Sequence, residues 1–243
     1  MNLFLVTSAI STNYGKTSMY DRLKETIDTC ISIRHYAPNS KIILVEGGKP
    51  LPKEIKDQLF IFDEVFDFSS HNIIQMAQSD SQLKVDNVGH SVKSVCETYL
   101  LKEALKLIKD PYDRIFKLSG RYRLTERFNL QDHMHKDKFV FLTKAVTQKT
   151  EMVDAEGNSI VTKSSIDFSP WRYETTFYSF DNPMKAQMIF DYIFSSLIEV
   201  YSEGNYIDVE TATYLTINKE DVIEVPVIGL TGTLGMCDGS IDK

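Results

Sequence analysis

The chain has 243 residues, 42% hydrophobic and 11% aromatic, enough to bury a sizeable core in one α/β domain. Its 27 Lys and Arg against 34 Asp and Glu give a formal charge of −7, which excludes a general affinity for nucleic acid or anionic membrane unless basic residues cluster. Three scattered cysteines, Cys30, Cys96 and Cys237, lack metal-ligand spacing and read as reduced thiols. The opening MNLFLVTSAI has no basic leader, and no run approaches the ~18 apolar residues of a transmembrane segment, so a cytoplasmic location is expected.

The run NLFLVTS, residues 2–8, is a β-prone segment ending in small polar residues. A helical pattern follows with Leu23, Ile27, Cys30, Ile31 and Arg34 on one face, closed by Pro38 and Asn39. KIILV, residues 41–45, is a second strand stopped by Glu46-Gly47-Gly48. Pro52 opens a short helix to Leu59, and residues 64–68 make a brief third strand. The clearest helix carries Val92, Val95, Cys96, Tyr99, Leu100, Ala104, Leu107 and Ile108 at three- and four-residue spacing, with Lys93, Glu97, Lys102, Glu103 and Lys106 on the polar side. Asp110-Pro111 ends it, and a strand at residues 114–118 follows. This alternation predicts an α/β fold with a mainly parallel sheet and helices on both faces.

Beyond Phe128 the pattern changes. Residues 139–142 and 171–180 read as strands, and residues 152–161, with Glu156-Gly157-Asn158 at the tip, read as a hairpin. Asn182-Pro183 starts a long apolar helix to about Tyr201. A shorter helix over 209–216 precedes a last strand over 222–228 and the tail GLTGTLG, residues 229–235, read as a lid or a turn-rich terminus. With no repeat or low-complexity linker, one domain over residues 1–243 is expected.

Ligands of open α/β sheets bind beyond the carboxyl ends of the strands. The candidates are therefore Thr7-Ser8-Ala9, Glu46-Gly47-Gly48 and Ser119-Gly120-Arg121. The last group lies in a basic stretch: between Asp113 and Arg127, Arg114, Lys117, Arg121, Arg123 and Arg127 oppose only Asp113 and Glu126. ISTNYGKT, residues 10–17, matches only the tail of a phosphate-binding loop, because Ile10 stands where the first glycine is needed. It reads as a surface loop, with Lys16 a candidate phosphate contact.

DRIFKLSGRYRL, residues 113–124, with the helix SVKSVCETYLLKEALKLI before it, resembles a bacterial and viral group of nucleotide-sugar-dependent, GT-A-type glycosyltransferase-like proteins that carry a K-[IL]-S-G-R-Y stretch. The resemblance runs loosely over most of the chain and is specific only there. It implies a Rossmann-like GT-A fold, with a nucleotide-binding half (1–125) and an acceptor-binding half (126–243) containing the added hairpin. A sugar would pass from a nucleotide-sugar donor to a carbohydrate or glycan acceptor. GT-A enzymes place an Asp-x-Asp metal motif at this strand end, whereas this chain has Ser119-Gly120-Arg121. The departure leaves open whether Mn2+ or Mg2+ is used.

Arginine offers a planar fork of donors and a charge that does not titrate near neutrality. Arg121, with Ser119, Gly120, Tyr122 and Arg123 around it, is therefore a candidate to bind the donor phosphates in place of a metal. Arg123 faces with Arg121 only if the strand continues, and both arginines have surface acids as alternative partners. Thr7, Ser8, Ala9 and Glu46 would hold the nucleoside. Asn87, His90 and Lys93 open a helix, a position that favours anions.

An inverting transfer needs a carboxylate base. The resemblance points to Asp208 and Glu210 late in the chain, although Asp208 also suits a helix N-cap. Trp171 and Tyr173 are candidate acceptor-binding aromatics, and Phe177 on the same predicted face reads as core. A sugar-phosphate nucleotidyltransferase, or a non-catalytic module derived from a glycosyltransferase, are the alternative readings.

Overall fold

A computed structural model of the protein describes residues 1–14, 17–79, 90–147, 158, 161–233 and 240–242. The first part of the chain forms β1 (Asn2–Ser8), α1 (Met19–Tyr36), β2 (Ser40–Glu46), α2 (Lys53–Lys56), β3 (Glu64–Asp67), α3 (Asn72–Gln78), α4 (His90–Leu107), β4 (Ile115–Ser119) and β5 (Tyr122–Leu124). Then come β6 (Phe139–Leu142), β7 (Ala145–Val146), α5 (Ser165–Phe168), β8 (Trp171–Arg172), β9 (Phe177–Phe180), α6 (Pro183–Ser202), α7 (Val209–Thr216), β10 (Val222–Val225), β11 (Leu230–Thr233) and β12 (Ser240–Asp242).

Seven strands build the central sheet in the order β10-β6-β9-β4-β1-β2-β3. β1 pairs in parallel with β2 and β4, and β2 with β3, while β9 runs antiparallel between β4 and β6. β1, β2 and β4 at the centre are buried on both faces, so they read as largely unbroken apolar runs. Alternation sorts their side chains into two cores. Leu3, Leu5, Ile43, Val45 and Ile115 face α4 and α6, whereas Phe4, Val6, Ile42, Leu44, Phe116 and Leu118 join residues of α1 and α2. In the second core Phe4 stacks on Phe116 with ring centroids 4.5 Å apart.

Helix starts follow local chemistry. Ser18 caps α1 by accepting from Asp21 N, and Asn182 caps α6 by accepting from Lys185 N, with Pro183 in the first turn. Asp208 caps α7 through Thr211 N.

Several expectations are corrected. The segment 171–180 is two strands, because Tyr173 N turns away from the sheet to Glu210 O at 3.3 Å and only from Phe177 does the chain pair with β4. The helix α3, too short for a clear period, was not expected. β10 ends at Val225, where Pro226 has no N–H for a ladder. The described part of the glycine-spaced tail is β11, paired on one side with β5 and on the other with β12. Nor are the basic residues of 114–127 one surface patch, since Arg114 and Lys117 are fully buried. Arg114 donates to Ser179 Oγ (2.9 Å), Ser179 O (3.0 Å) and His135 O (2.7 Å). The neighbouring His133 is driven down to about 3 by burial and by the Arg114 charge, so it stays neutral.

Gly229 turns the chain from β10 into β11 at φ +76, and a Cβ there would lie 2.2 Å from Phe128 N. Gly229→Ala is expected to cost about 2 kcal/mol or more, read as a lowered urea midpoint with an unchanged m-value.

Candidate functional site

At the carboxyl edge of β1, β2 and β4 lies a cavity of about 160 Å3. Its floor is Thr7, Ser8 and Ala9 at the end of β1, Gly47 after β2, and Ser119, Gly120 and Arg121 after β4. Arg22 and Thr26 of α1 close one side, and Lys93, Cys96 and Glu97 of α4 the other. Thr12, Tyr14 and Gln78 complete the rim. Three strand ends picked from sequence therefore meet in one place.

The β4 end is folded tightly. Ser119 N donates to Thr176 O (2.9 Å), Gly120 N to Thr7 O (2.8 Å) and Arg121 N to Ser119 O (2.8 Å). A Cβ on Gly120 would approach Thr26 Oγ1 to 3.1 Å and Thr7 O to 3.3 Å. The glycine therefore serves the close fit of this turn against β1 and α1. Beyond it, half-buried Arg121 has no ion-pair partner among the described residues, whereas Arg22 is held by Tyr14 O (3.0 Å) and Thr17 O (3.3 Å). Burial, and next the nearby Arg121 charge, lower the Arg22 pKa. Two guanidinium groups that repel one another across a cavity make a place for an anion.

Beside them runs a ladder of alternating charge. Lys117, 0% exposed in the middle of β4, donates to Glu97 Oε1 (2.5 Å), Ser119 Oγ (2.9 Å) and Thr175 O (2.5 Å). Burial works to raise the Glu97 carboxyl, but Lys117 and then Lys93 hold it below its ordinary value. Lys93, one helical turn before Glu97, stands 3.9 Å from Glu210 Oε1, and Thr175 Oγ1 donates to the same oxygen at 3.2 Å. Burial raises the Glu210 carboxyl, against the pull of Lys93. Asp208 is occupied differently: Oδ1 accepts from Thr211 N (2.6 Å), and Oδ2 lies 3.8 Å from Arg172 Nη1.

Removing one member of a buried pair leaves an uncompensated charge, so Lys117→Met alone is expected to cost about 3–5 kcal/mol. Pairing it with Glu97→Gln should recover most of that loss in urea melts.

Other residues singled out from sequence lie apart from the cavity. Glu46 is fully buried and outside the lining: its carboxyl accepts from Ser8 Oγ, Ile10 N (3.0 Å) and Gly48 N (2.8 Å), pinning the two loops that form the floor. Tyr122 belongs to the α1-side core. Arg123, exposed, borders a separate depression with His35 and Glu126, because the chain turns at Gly120 and Arg121 before β5 joins another sheet. Tyr173 is buried and stacked on Phe141, with centroids 4.6 Å apart. Trp171, 39% exposed, sits on the β7–β8 ribbon, and Phe177 is core. Gly15, Lys16, Asn87, most of the hairpin expected at 152–161, Cys237 and the end of the tail lie outside the described residues.

Burial raises the Glu46 carboxyl to about 7, against the hydrogen bonds it receives. A raised acid favours the fold while protonated, so stability is expected to fall as pH rises from about 4.5 through 7, by on the order of 3 kcal/mol. Melting temperatures across that range should show the slope, and Glu46→Gln should flatten it.

Sequence reasoning missed Arg22, Glu97, Lys117 and Thr175. Glu97 had been assigned to the solvated side of its helix; the signal against this was Lys117, a cation inside the apolar run IFKLS that needs a buried acceptor. Among the described residues no three His, Cys, Asp or Glu side chains are grouped to hold a metal ion. At the β4 end itself Arg121 and the Lys117 ammonium stand beside the neutral Ser119 hydroxyl, a donor set that does not fit a divalent cation.

No family model and no curated protein sequence matches the chain. Among solved structures it superposes on the galactosyltransferase LgtC in complex with donor and acceptor sugar analogues, with a TM-score of 0.53 and 9% identity over 92% of this chain and 73% of that one. Mouse xyloside xylosyltransferase 1 follows at a TM-score of 0.43 and 9% identity, covering 92% and 84% of the two chains. The 4-diphosphocytidyl-2C-methyl-D-erythritol synthase of Anaerococcus prevotii has a TM-score of 0.41 and 14% identity, covering 92% and 86%. The central sheet and its flanking helices are those of the Rossmann-like GT-A fold. No described helix is long and apolar enough to cross a membrane.

Proposed function

We propose that the protein is a glycosyltransferase that moves a sugar from a nucleotide-sugar donor to a carbohydrate or glycan acceptor. The observation that carries the reading is the placement of Arg121 without an ion-pair partner among the described residues, facing Arg22 at the strand ends of a GT-A fold. Developing negative charge on a leaving nucleotide phosphate is stabilised by preorganised cations, and here Arg121 and Arg22 take that part, with Lys93 at the rim. Arginine thereby replaces the carboxylate-held Mn2+ or Mg2+ of the family it resembles.

Of the two candidate bases Glu210 is the better placed, since Asp208 is spent on the α7 cap and on Arg172. Glu210 lies next to the cavity through Lys93, and burial raises its pKa toward the operating range of a general base. In the reaction it accepts the proton of the acceptor hydroxyl as that oxygen bonds to the anomeric carbon. The bond from that carbon to the phosphate oxygen breaks, and the nucleotide departs with the electron pair, inverting the centre. Thr7, Ser8 and Ala9 line the floor where the nucleoside would lie, and Trp171 offers an exposed aromatic face on the acceptor half.

The test is calorimetric titration with a panel of nucleotides and nucleotide sugars, with and without Mn2+ or Mg2+, followed by turnover with the best binder. Metal-independent binding of a nucleotide sugar and inversion of its sugar are expected. Binding of no nucleotide would overturn the reading, and pyrophosphate release from a nucleoside triphosphate would replace it with nucleotidyl transfer.

A further inference from the structure

Lys117 is an ammonium sealed from solvent, and each of its three N–H groups has a destination. Two of the acceptors, the Glu97 carboxylate and the Thr175 carbonyl, can only accept. They fix the ammonium and leave the third N–H for Ser119 Oγ at 2.9 Å. A serine hydroxyl that accepts on its oxygen still has its own proton to place. Among the described residues that proton has no acceptor, and Ser119 lines the cavity beside Arg121.

We infer that Lys117 is a positioning residue: by donating to Ser119 Oγ it leaves the serine proton for an acceptor in the cavity, so that Ser119 joins Arg121 as a donor to a deprotonated diphosphate oxygen. The inference rests on the donor-phosphate reading above and adds which groups enforce it. Arg121 and Arg22 have no acceptor to offer, and Ser119, held through its oxygen by Lys117, adds a third donor beside them. An ionised phosphate oxygen, which only accepts, fits these three donors.

The experiment is a double-mutant cycle with inorganic pyrophosphate as the probe, read by calorimetry at neutral pH with circular dichroism as the folding check. Ser119→Ala is expected to weaken pyrophosphate binding about ten- to a hundredfold. In a Lys117→Met/Glu97→Gln background, which removes both buried charges together, Ser119→Ala is expected to have a much smaller effect, because the hydroxyl is no longer held as a donor. A purely structural Lys117 would leave the Ser119→Ala loss the same in both backgrounds, and that result overturns the inference while the donor-phosphate reading stands. Failure of the wild-type protein to bind pyrophosphate and every nucleoside diphosphate overturns both. Should the paired variant not fold, Lys117→Arg keeps donors for Ser119, and loss of the serine contribution there would count against the inference.

Discussion

Arg121→Ala is expected to lower kcat/KM for nucleotide-sugar turnover by about 10²–10³, the usual effect of deleting one preorganised charge-stabilising group. Folding stability should change little, because Arg121 is half-buried in a turn and has no ion-pair partner among the described residues. The turn itself is held by backbone bonds, Gly120 N to Thr7 O and Ser119 N to Thr176 O, that the substitution leaves intact. Added Mn2+ or Mg2+ should not restore activity. Arg121→Lys should restore only part, since a point charge cannot form the two parallel bonds of a guanidinium to phosphate. Rescue of Arg121→Ala by a divalent cation would show that a metal, and not the arginine, answers the phosphate charge.

Glu210→Gln is expected to reduce kcat by roughly 10²–10⁴, the range for loss of a general base, while nucleotide binding is kept. The wild-type kcat should rise with pH through a value displaced above the ordinary carboxylate range, because burial raises Glu210 and a base works only when deprotonated. That limb should vanish in the Gln variant. Asp208→Ala is expected to behave differently: it removes the N-cap of α7 and costs about 1 kcal/mol in stability. An undiminished kcat in Glu210→Gln would remove Glu210 as the base and point to a retaining reaction.

Much of the fold was legible in the sequence where one physical signal dominated. The centres of NLFLVTS and KIILV are unbroken apolar runs because these parallel strands are covered on both faces, and Asn182-Pro183 marks a helix start by capping chemistry alone. The site was legible as strand ends, which is why Thr7, Ser8, Ser119, Gly120 and Arg121 converge. What failed was any reading that depended on a partner distant in sequence. Glu97 sits at a polar position of α4 and faces inward only because Lys117, 20 residues later, waits there. Glu46 reads as a ligand-ready acid at a strand end, yet its lone pairs go to Ser8 and Ile10, 38 and 36 residues away. Arg123 follows Arg121 by two residues, but the turn between β4 and β5 breaks the alternation that would have kept them together.

The antiparallel strand β9 lies between β4 and β6, so β4, from the first half of the chain, is bordered by a strand from the second half. Arg114 and Lys117, both on or beside β4, find acceptors on Ser179 and Thr175 across that border. An amino-terminal fragment ending near residue 125 would therefore bury neither cation properly and would leave β4 an open edge. Residues 1–125 and 126–243 are therefore not separate foldable units. Recombining the first half with a different second half would require the new partner to supply a strand, and the loop leading into it, with carbonyls and a hydroxyl at the same register.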